Sequence, residues 1–447
     1  RMLRLLINGE KPDTILAITF TRKAAAEMQS RLNERLLHLA ACDDAELSEQ
    51  LKYIGAPVND TTLANARNLY EKILFDTQPP RMTTFHAFCQ DILKRFPFEA
   101  NVPPGFELIE QTAELEAEAW GLLISEATRE PDGNIANALE TLFDYCSGLA
   151  NTQTALKSFL QHRSDWWAYT LYQHDVIKFA VSNLKQQLNI SDESDPALSF
   201  FSSESLKELS EFSALLSRHL TKENAKHHST ITDIEKQLSS NNQLVAFNQL
   251  VEVFFTQSGK PRSRSTKKVQ IQKMGEAGEL RFLELHELFC ERISQTLEQR
   301  ARINTLNISR AWYLAGNQLL THYQTIKTER RMLDFSDLEW TAYLLLNDES
   351  NDENNAHWVQ YKLDARINHR LIDEFQDTNP TQWQLLLPLL SELSATNADK
   401  QRSVFIVGDS KQSIYRFRRA QPRLLDIAQD WLSAHLSANT TTLDTSR

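Results

Sequence analysis

Apolar positions near the start of the chain follow first a strand pattern and then a helical one. Residues 15–21 form a short apolar run rich in β-branched side chains, which predicts a buried strand. The next stretch, residues 22–40, is rich in alanine, and Thr21 is predicted to act as its N-cap. A strand that leads directly into a helix indicates an α/β sheet. The larger apolar residues of this helix recur at helical spacing and are Met28, Leu32, Leu36 and Leu39.

A second amphipathic helix is predicted within residues 83–97, where Pro97 ends the pattern. From about residue 102 to residue 329, long helical patterns alternate with polar breaks, and strand-like apolar runs are nearly absent. This pattern of apolar and polar positions predicts a mostly helical insertion of more than 200 residues. The apolar face predicted for the helix before it consists of Phe85, Phe88 with Cys89, Ile92 and Phe96.

After Leu333 the alternation of strands and helices returns. Residues 347–355 are rich in Asn, Asp and Glu and are predicted to form a solvated loop. The short apolar runs 370–372 and 404–407 predict two strands, each followed at once by a polar cluster. Because open α/β sheets carry their ligand sites at the carboxyl ends of parallel strands, these two clusters form the candidate functional site.

Composition supports a helix-rich chain with few tight turns. Only 11 of 447 residues are glycine, about 2.5 %, against an average near 7 %, which disfavours a many-turned β-sandwich. Hydrophobic residues make up 41 % of the chain, which is enough to form hydrophobic cores and argues against a chain that is disordered throughout. The net charge of −11 argues against a generally basic nucleic-acid coat protein, although it does not exclude a local basic groove.

The cysteines and the hydropathy of the chain predict its compartment. Cys42, Cys89, Cys146 and Cys290 lie outside any CxxC or mixed His/Cys cluster, so neither a zinc site nor a disulfide framework is predicted. We expect four free thiols in a reducing compartment. The sequence contains no signal peptide and no apolar run of 18 or more residues, so we predict a soluble, cytoplasmic chain without membrane attachment.

The first polar cluster pairs two carboxylates, Asp373 and Glu374, at the end of the predicted strand 370–372. In nucleotide hydrolysis one carboxylate can hold Mg²⁺ while its neighbour orients or deprotonates the attacking water. For the pair alone, an acidic turn that merely caps the next helix is the simpler explanation. The whole string Asp-Glu-Phe-Gln-Asp-Thr after an apolar strand favours the catalytic one.

The second cluster begins with Gly408 and Asp409 and continues to Gln412. Glycine allows a tight exit from a strand, and a glutamine amide can hydrogen-bond a terminal phosphate. Two aromatic residues, Tyr415 and Phe417, then alternate with arginines. This arrangement suits single-stranded nucleic acid, because cations meet phosphates and rings stack on bases. A position in the apolar core is the alternative for Phe417.

Five stretches, in this order, resemble the motifs of superfamily-1 DNA helicases of the UvrD/Rep type. Residues 17–28 resemble motif Ia, and residues 84–88 resemble motif Ib. Residues 333–338 resemble the box that precedes the Walker B strand. Residues 371–378 resemble motif II, which is Walker B, and residues 407–418 resemble motif III.

The resemblance implies a RecA-like P-loop NTPase fold, in which a parallel α/β sheet, domain 1A, is interrupted by a large all-helical insertion, 1B. Domain 1A then comprises residues 1–104 and 327–436, and the insertion comprises residues 105–326. Residues 437–447 would begin a truncated second RecA-like domain. The branch that the sequence resembles most is the helicase–nuclease branch, which contains AddA and the RecB subunit of exonuclease V. This resemblance rests on the long insertion and on the segment Tyr-Arg-Phe-Arg of motif III. Arg419 departs from the UvrD type, which usually has glycine there.

The resemblance also implies cofactors and roles, with ATP and Mg²⁺ as the cofactors. Asp373 would ligate Mg²⁺, and Glu374 would be the catalytic base toward water. Gln412 would sense the γ-phosphate, and Arg447 matches the γ-phosphate arginine of motif IV. The single-strand path would be lined by Phe20, Thr21, Arg22, His86, Tyr415, Phe417 and Arg418.

One motif of the family is missing from this sequence. It holds no Gly-x-x-x-x-Gly-Lys-Ser/Thr string, since its one Gly-Lys pair, Gly259-Lys260, lacks the outer glycine. We expect the parent protein to be an ATP-dependent 3′–5′ DNA helicase, of helicase–nuclease type, acting in recombination and double-strand-break repair. These 447 residues alone are expected to be ATPase-deficient. The implied partners are single-stranded and duplex DNA and an AddB- or RecC-like protein.

Two alternatives remain open from the sequence. One is a UvrD-like repair helicase without a nuclease, and the other is a non-catalytic DNA-binding scaffold with a decayed ATP site. Intact Asp373, Glu374 and Gln412 weigh against decay. Within the insertion, residues 259–273 carry six Lys/Arg and no acid. They are predicted to form either a mobile loop that touches duplex phosphates or a solvated flexible loop.

Overall fold

The chain divides into two compact units. The sheet unit comprises residues 1–115 and 324–447, and the helical unit comprises residues 116–323. The computed structural model of the chain describes residues 1–76, 78–347, 353–364, 366–394, 402–414 and 419–442.

The chain begins with α1 (Met2–Ile7), β1 (Ile15–Thr19), α2 (Arg22–Ala41), α3 (Asp44–Tyr53), α4 (Asp60–Leu74), β2 (Arg81–Thr84), α5 (Phe85–Arg95) and β3 (Glu107–Leu108). There follow α6 (Ala113–Arg129), α7 (Asn134–Cys146), α8 (Leu149–Gln161), α9 (Arg163–Thr170), α10 (Val176–Gln187), α11 (Ser203–Arg218), α12 (Lys222–Ser239), α13 (Gln243–Phe254), α14 (Lys268–Met274) and α15 (Glu276–Glu329). The remaining elements are β4 (Met332–Leu333), α16 (Phe335–Asn347), α17 (Glu353–Asp364), β5 (His369–Ile372), α18 (Pro380–Ser394), β6 (Ser403–Ile406) and α19 (Arg423–Leu436).

Four parallel strands form the main sheet in the order β2–β1–β5–β6. Ile18 lies opposite Ile372, which lies opposite Ile406, so β1, β5 and β6 end at the same edge. As predicted, β1 leads into α2, and the Thr21 hydroxyl accepts the Ala24 N–H at 3.0 Å as the N-cap. The chain is mostly helical around this parallel sheet, and the predicted α/β class is confirmed at that level.

Helices cover both faces of the sheet. Leu16 and Ile18 of β1 belong to a core shared with apolar side chains of α5, α16 and α18. Ile15 belongs to a separate core with apolar side chains of α1, α2 and α4. Because successive strand residues point to opposite faces, these two cores lie on opposite sides of the sheet. The predicted helix between residues 83 and 97 is α5, and it buries Phe85, Phe88, Cys89, Ile92 and Leu93.

The helical unit, all of whose residues are described, consists of helices joined by turns, with one isolated β-bridge between Phe255 and Pro261. The mostly helical texture predicted for this part of the chain is observed. Within the described part of the chain, no helix is both long and apolar enough to cross a bilayer. The aromatic residues at the centre of this unit's core are Phe212, Phe247, Phe254, Phe282 and Phe289.

The basic segment 259–273 is mostly exposed to solvent, as one of the two predictions had it, but residues 268–273 belong to α14 and not to a loop. Arg262 pairs with Glu223 of α12, with 3.3 Å between Nη1 and Oε1. Arg264 donates from Nη2 to Nδ1 of His227 at 2.9 Å and lies over a phenylalanine ring of the core. The segment contains no acidic residue, and the carboxylate that pairs with Arg262 belongs to α12. Contact of this segment with duplex DNA stays a prediction.

Candidate nucleotide and DNA site

The candidate site begins where β1, β5 and β6 end at one edge of the sheet. The N–H of Asp373 donates to the Ile18 carbonyl at 2.9 Å and so continues the ladder between β5 and β1. On the other side, the N–H of Phe375 donates to the Val407 carbonyl, also at 2.9 Å. The backbone of Asp373 and Glu374 is therefore fixed between two neighbouring strand ends, where open sheets bind their ligands.

The two carboxylates of the site differ in their surroundings. Asp373 is half-buried, and burial, followed by the negative charge of Glu374, raises the pKa of its carboxyl group. Glu374 is exposed and has a φ of 54°, in the left-handed region. That conformation costs a non-glycine residue about 1–3 kcal/mol and is typical of functional sites. A strained turn therefore presents two adjacent carboxylates at one strand end.

A cleft of about 440 Å³ opens beside these carboxylates and is lined on its other sides by α1, α2 and Arg1. Arg31 and Arg35, one turn apart on α2, line it as well, and Arg31 pairs with Glu27 at 2.5 Å. The cleft combines carboxylate and guanidinium groups, and its volume falls in the usual range of small-molecule sites. We did not predict the two arginines from the sequence, although their spacing of four signals a shared helix face.

Gln376 joins the two polar clusters of the site. Its side chain is 1 % exposed, and its Nε2 donates to Glu374 Oε2 at 2.5 Å. Its Oε1 accepts the backbone N–H of Asp409 at 3.0 Å. A Cβ at Gly408 would come within 2.9 Å of this oxygen, so glycine allows the close approach. The sequence showed Gln376 only as part of the motif II string and assigned it no role.

Gln412, predicted to sense the γ-phosphate, lies exposed in the short 3-10 turn after β6. Its Nε2 donates to Asp409 Oδ2 at 2.9 Å. Asp409 also accepts the backbone N–H of Lys411 at 3.0 Å, and these bonds hold the pKa of its carboxyl group below the usual value. Gln412 is thus linked through Asp409 to Gln376, and its sensing role stays a prediction.

The residues predicted to line a DNA path lie at two neighbouring strand–helix junctions. Phe20 is half-buried after β1, whereas Thr21 and Arg22 are exposed, and Arg22 pairs with Glu110 at 3.1 Å. His86 is half-buried at the start of α5, directly after β2. Contact of these side chains with DNA stays a prediction. Four more predicted residues lie outside the described part of the chain, namely Tyr415, Phe417, Arg418 and Arg447.

Comparison with known proteins agrees with the helicase family that the sequence motifs resemble. The family profile described as the UvrD/REP helicase N-terminal domain matches residues 1–431. The AddA subunits of ATP-dependent helicase/nucleases from Limosilactobacillus fermentum, Oceanobacillus iheyensis and Lactobacillus gasseri are 28 %, 25 % and 24 % identical over 95 % of this chain. The aligned region covers 31 %, 33 % and 34 % of those relatives, respectively, so the chain spans about a third of their length. Because the profile covers nearly all of the chain, the chain belongs to the UvrD/REP helicase N-terminal domain family.

Proposed function

We propose that the sheet unit is the RecA-like ATPase domain 1A of a DNA helicase motor and that the helical unit is its 1B insertion. The observation that carries the proposal is the Asp373–Glu374 pair at the end of a central parallel strand, beside a cleft with guanidinium groups. Gln376 supports it, because one buried amide fixes Glu374 and the loop after β6 at the same time. Membership of the helicase family supports it independently.

ATP and Mg²⁺ fit the residues of the cleft. Asp373 and Glu374 offer the hard oxygen donors that Mg²⁺ prefers, and a cation would offset the burial and like charge that raise the pKa of Asp373. Mg²⁺, held by Asp373, would neutralise charge on the phosphates. Glu374, oriented by Gln376, would accept a proton from the attacking water. Arg31 would add positive charge beside the phosphates.

The outer side of β6, which is unpaired among the described strands, is where we expect the strand that leads into the phosphate-binding loop to pair. Strands of parallel sheets are normally buried, yet Phe405 is 38 % exposed and Val407 beyond it is 41 % exposed. Among the described strands, β6 pairs with β5 alone. We infer that a strand bearing the Walker A loop of the parent protein pairs with this edge. Since these 447 residues contain no Walker A string, we expect them to hydrolyse little ATP by themselves.

The whole protein is proposed to be an ATP-dependent 3′–5′ DNA helicase of the helicase–nuclease type, acting in recombination and double-strand-break repair with an AddB- or RecC-like partner. The names of the relatives support helicase and nuclease activity and an assembly of several subunits. Single-stranded DNA would cross the carboxyl end of the sheet at Phe20, Arg22 and His86. Tyr415 and Phe417, which lie outside the described residues, are predicted to contact it as well. These side chains offer rings for base stacking and cations for phosphates.

Glu374→Gln in the full-length protein tests the proposed chemistry. The amide keeps the shape of the turn but cannot take a proton, so ATP binding should stay nearly intact while DNA-stimulated hydrolysis falls by about 10²–10⁴-fold. Asp430→Asn, an exposed carboxylate on α19, is the matched control and should hydrolyse ATP like the wild type. Preserved turnover in Glu374→Gln would remove Glu374 from the base role. A wild-type protein that binds DNA without hydrolysing ATP would favour the scaffold alternative.

A further inference from the structure

A buried carboxylate connects three elements of the sheet unit. Glu339 lies on α16 and is 6 % exposed. Its Oε1 accepts from His86 Nε2 at 2.9 Å and from Gln382 Nε2 at 2.5 Å, and its Oε2 accepts from Asn379 Nδ2 at 2.9 Å. Both oxygens are therefore engaged by side chains from other elements, as a buried charge requires.

The Asn379 side of this network is part of a helix cap. The Asn379 Oδ1 accepts the N–H of Gln382, and the Gln382 Oε1 accepts the N–H of Asn379, at 2.9 Å and 3.2 Å. This reciprocal pair closes the first turn of α18 in the manner of a capping box. Glu339 binds the amide donors of both side chains, so it fixes the cap from outside α18.

The cap is connected to the catalytic turn by a short, tightly bonded backbone. The N–H of Asp377 donates to the Glu374 carbonyl, and the N–H of Thr378 donates to the Phe375 carbonyl, both at 3.0 Å. Asn379 follows immediately in the chain. Only this hydrogen-bonded turn lies between Asn379 and Glu374. We therefore expect a displacement of Asn379 to reach the strained backbone of Glu374.

The opposite end of the network is His86, at the junction that is proposed to meet DNA. Its ring packs on Phe335 of α16, with the centroids 4.6 Å apart, and its Nε2 contacts Glu339. The His86 side chain is 26 % exposed, so part of it is accessible from solvent. We propose that Glu339 is a positioning residue that transmits occupancy of the DNA path at His86 to the turn that carries Glu374. This inference rests on the proposed function, because it needs DNA at one end and hydrolysis at the other.

The test uses Glu339→Gln in the full-length protein, with ATP hydrolysis measured without DNA and across a titration of single-stranded oligonucleotide. The new amide has one acceptor oxygen in place of two, and its NH₂ group faces a donor of His86, Asn379 or Gln382. The substitution therefore breaks the contact of Glu339 with these three side chains while its shape changes little. We expect the stimulation by DNA, which is the ratio of the rate at saturating DNA to the rate without DNA, to fall by about tenfold. Asp91→Asn, a carboxylate on the exposed face of α5, is the matched control and should leave both rates unchanged.

A double-mutant cycle with His86→Gln separates transmission from simple stability. If the two residues act in one path, the double variant should lose no more stimulation than either single variant. Equal loss of DNA-free and DNA-stimulated rates, or additive losses in the cycle, would overturn the proposal. If Glu339→Gln does not fold, His86→Gln decides, because a role in DNA contact alone raises the DNA concentration required but keeps the maximal rate. Failure of the proposed function is distinct, since the wild type would then show no DNA-stimulated hydrolysis.

Discussion

The two units bury polar side chains in different ways. In the sheet unit, polar residues from Gln376 to Asn379 are buried in succession after β5, followed by the buried Thr381 and Gln382. They bond to other elements, as Gln376 does to the loop after β6 and Asn379 does to α16. In the helical unit, buried polar residues are mostly scattered along the chain.

Two threonines show a second pattern, which is common in the helical unit. The hydroxyls of Thr170 and Thr296 each donate to the carbonyl four residues earlier, at 2.8 and 2.9 Å. Such bonds satisfy the hydroxyl without linking one element to another. The continuous run of buried polar residues that bond across elements therefore lies beside the candidate site, and the buried polar residues of the helical unit form no run of this length.

The largest effect is expected from the core of the helical unit. Phe212 is fully buried and stacks on Phe282 with centroids 4.9 Å apart. Phe212→Ala should destabilise this unit by about 3–5 kcal/mol, because it opens a cavity among packed rings. Peptide-resolved hydrogen exchange should show the loss in α11 and α15 and much less in β1. A uniform loss across β1 and α11 would mean that the two units unfold together and would break the comparison.

A smaller effect is expected from the polar run of the sheet unit. Gln376→Leu removes the acceptor for the Asp409 N–H and frees Glu374, which should cost about 1–3 kcal/mol of stability. Hydrolysis in the full-length protein should fall by a larger factor than this loss of folding explains. Gln384→Leu, at an exposed position of α18, is the control for the loss of a glutamine. If both variants keep full turnover, the buried amide serves stability alone.

A third effect is expected from acid, and it should separate the units. In the helical unit, burial and then the charge of Arg264 lower the pKa of His227 and of His286 to about 4. Because the ordinary imidazole pKa is about 6.5, the unfolded chain binds more protons between pH 6.5 and pH 4. The stability that these neutral rings contribute is present at pH 7 and is lost as the pH falls through that window.

The sheet unit should resist the same change of pH. Burial tends to raise the pKa of Glu339, but the bond and charge of His86 and the amides of Asn379 and Gln382 outweigh it and hold the pKa below the usual value. Its contribution is therefore lost only below the ordinary glutamate pKa of about 4.3. Between pH 7 and pH 5, hydrogen exchange corrected for its intrinsic pH dependence should increase in α12 and α15 and little in β1. Equal increases in both units would contradict the assignment of the histidines as the acid-sensitive groups.

Local features of the fold followed from the sequence. The apolar run 15–21 and the cap Thr21 predicted β1 and α2, and the runs 370–372 and 404–407 predicted β5 and β6 within a residue. Of the predicted loop 347–355, residues 348–352 lie outside the described part of the chain, and the ends differ from the prediction because α16 includes Asn347 and α17 begins at Glu353. These features depend on neighbours in the chain, which a sequence displays directly.

Contacts between distant segments did not follow. Glu339 meets His86 and Asn379 only because α16 packs between the helix after β2 and the helix after β5, and no local pattern encodes that register. The ion pair of the basic segment was missed for the same reason, because the acid that pairs with Arg262 lies on α12. Sequence motifs therefore indicated the carboxylates of the candidate site but not the residues that hold them in place.

The sheet also constrains how the chain folds as it is made. Ile18 of β1 pairs with Ile372 of β5, so 354 positions separate two neighbours in one sheet. At about 5–20 residues per second, the ribosome needs roughly 20–70 s to deliver β5 after β1. During that interval the contiguous helical unit can complete its own core, whereas β1 has β2 and the helices up to α5 beside it but still lacks β5, α16 and α18. Productive biosynthesis would therefore depend on shielding the first two strands until the last third of the chain emerges.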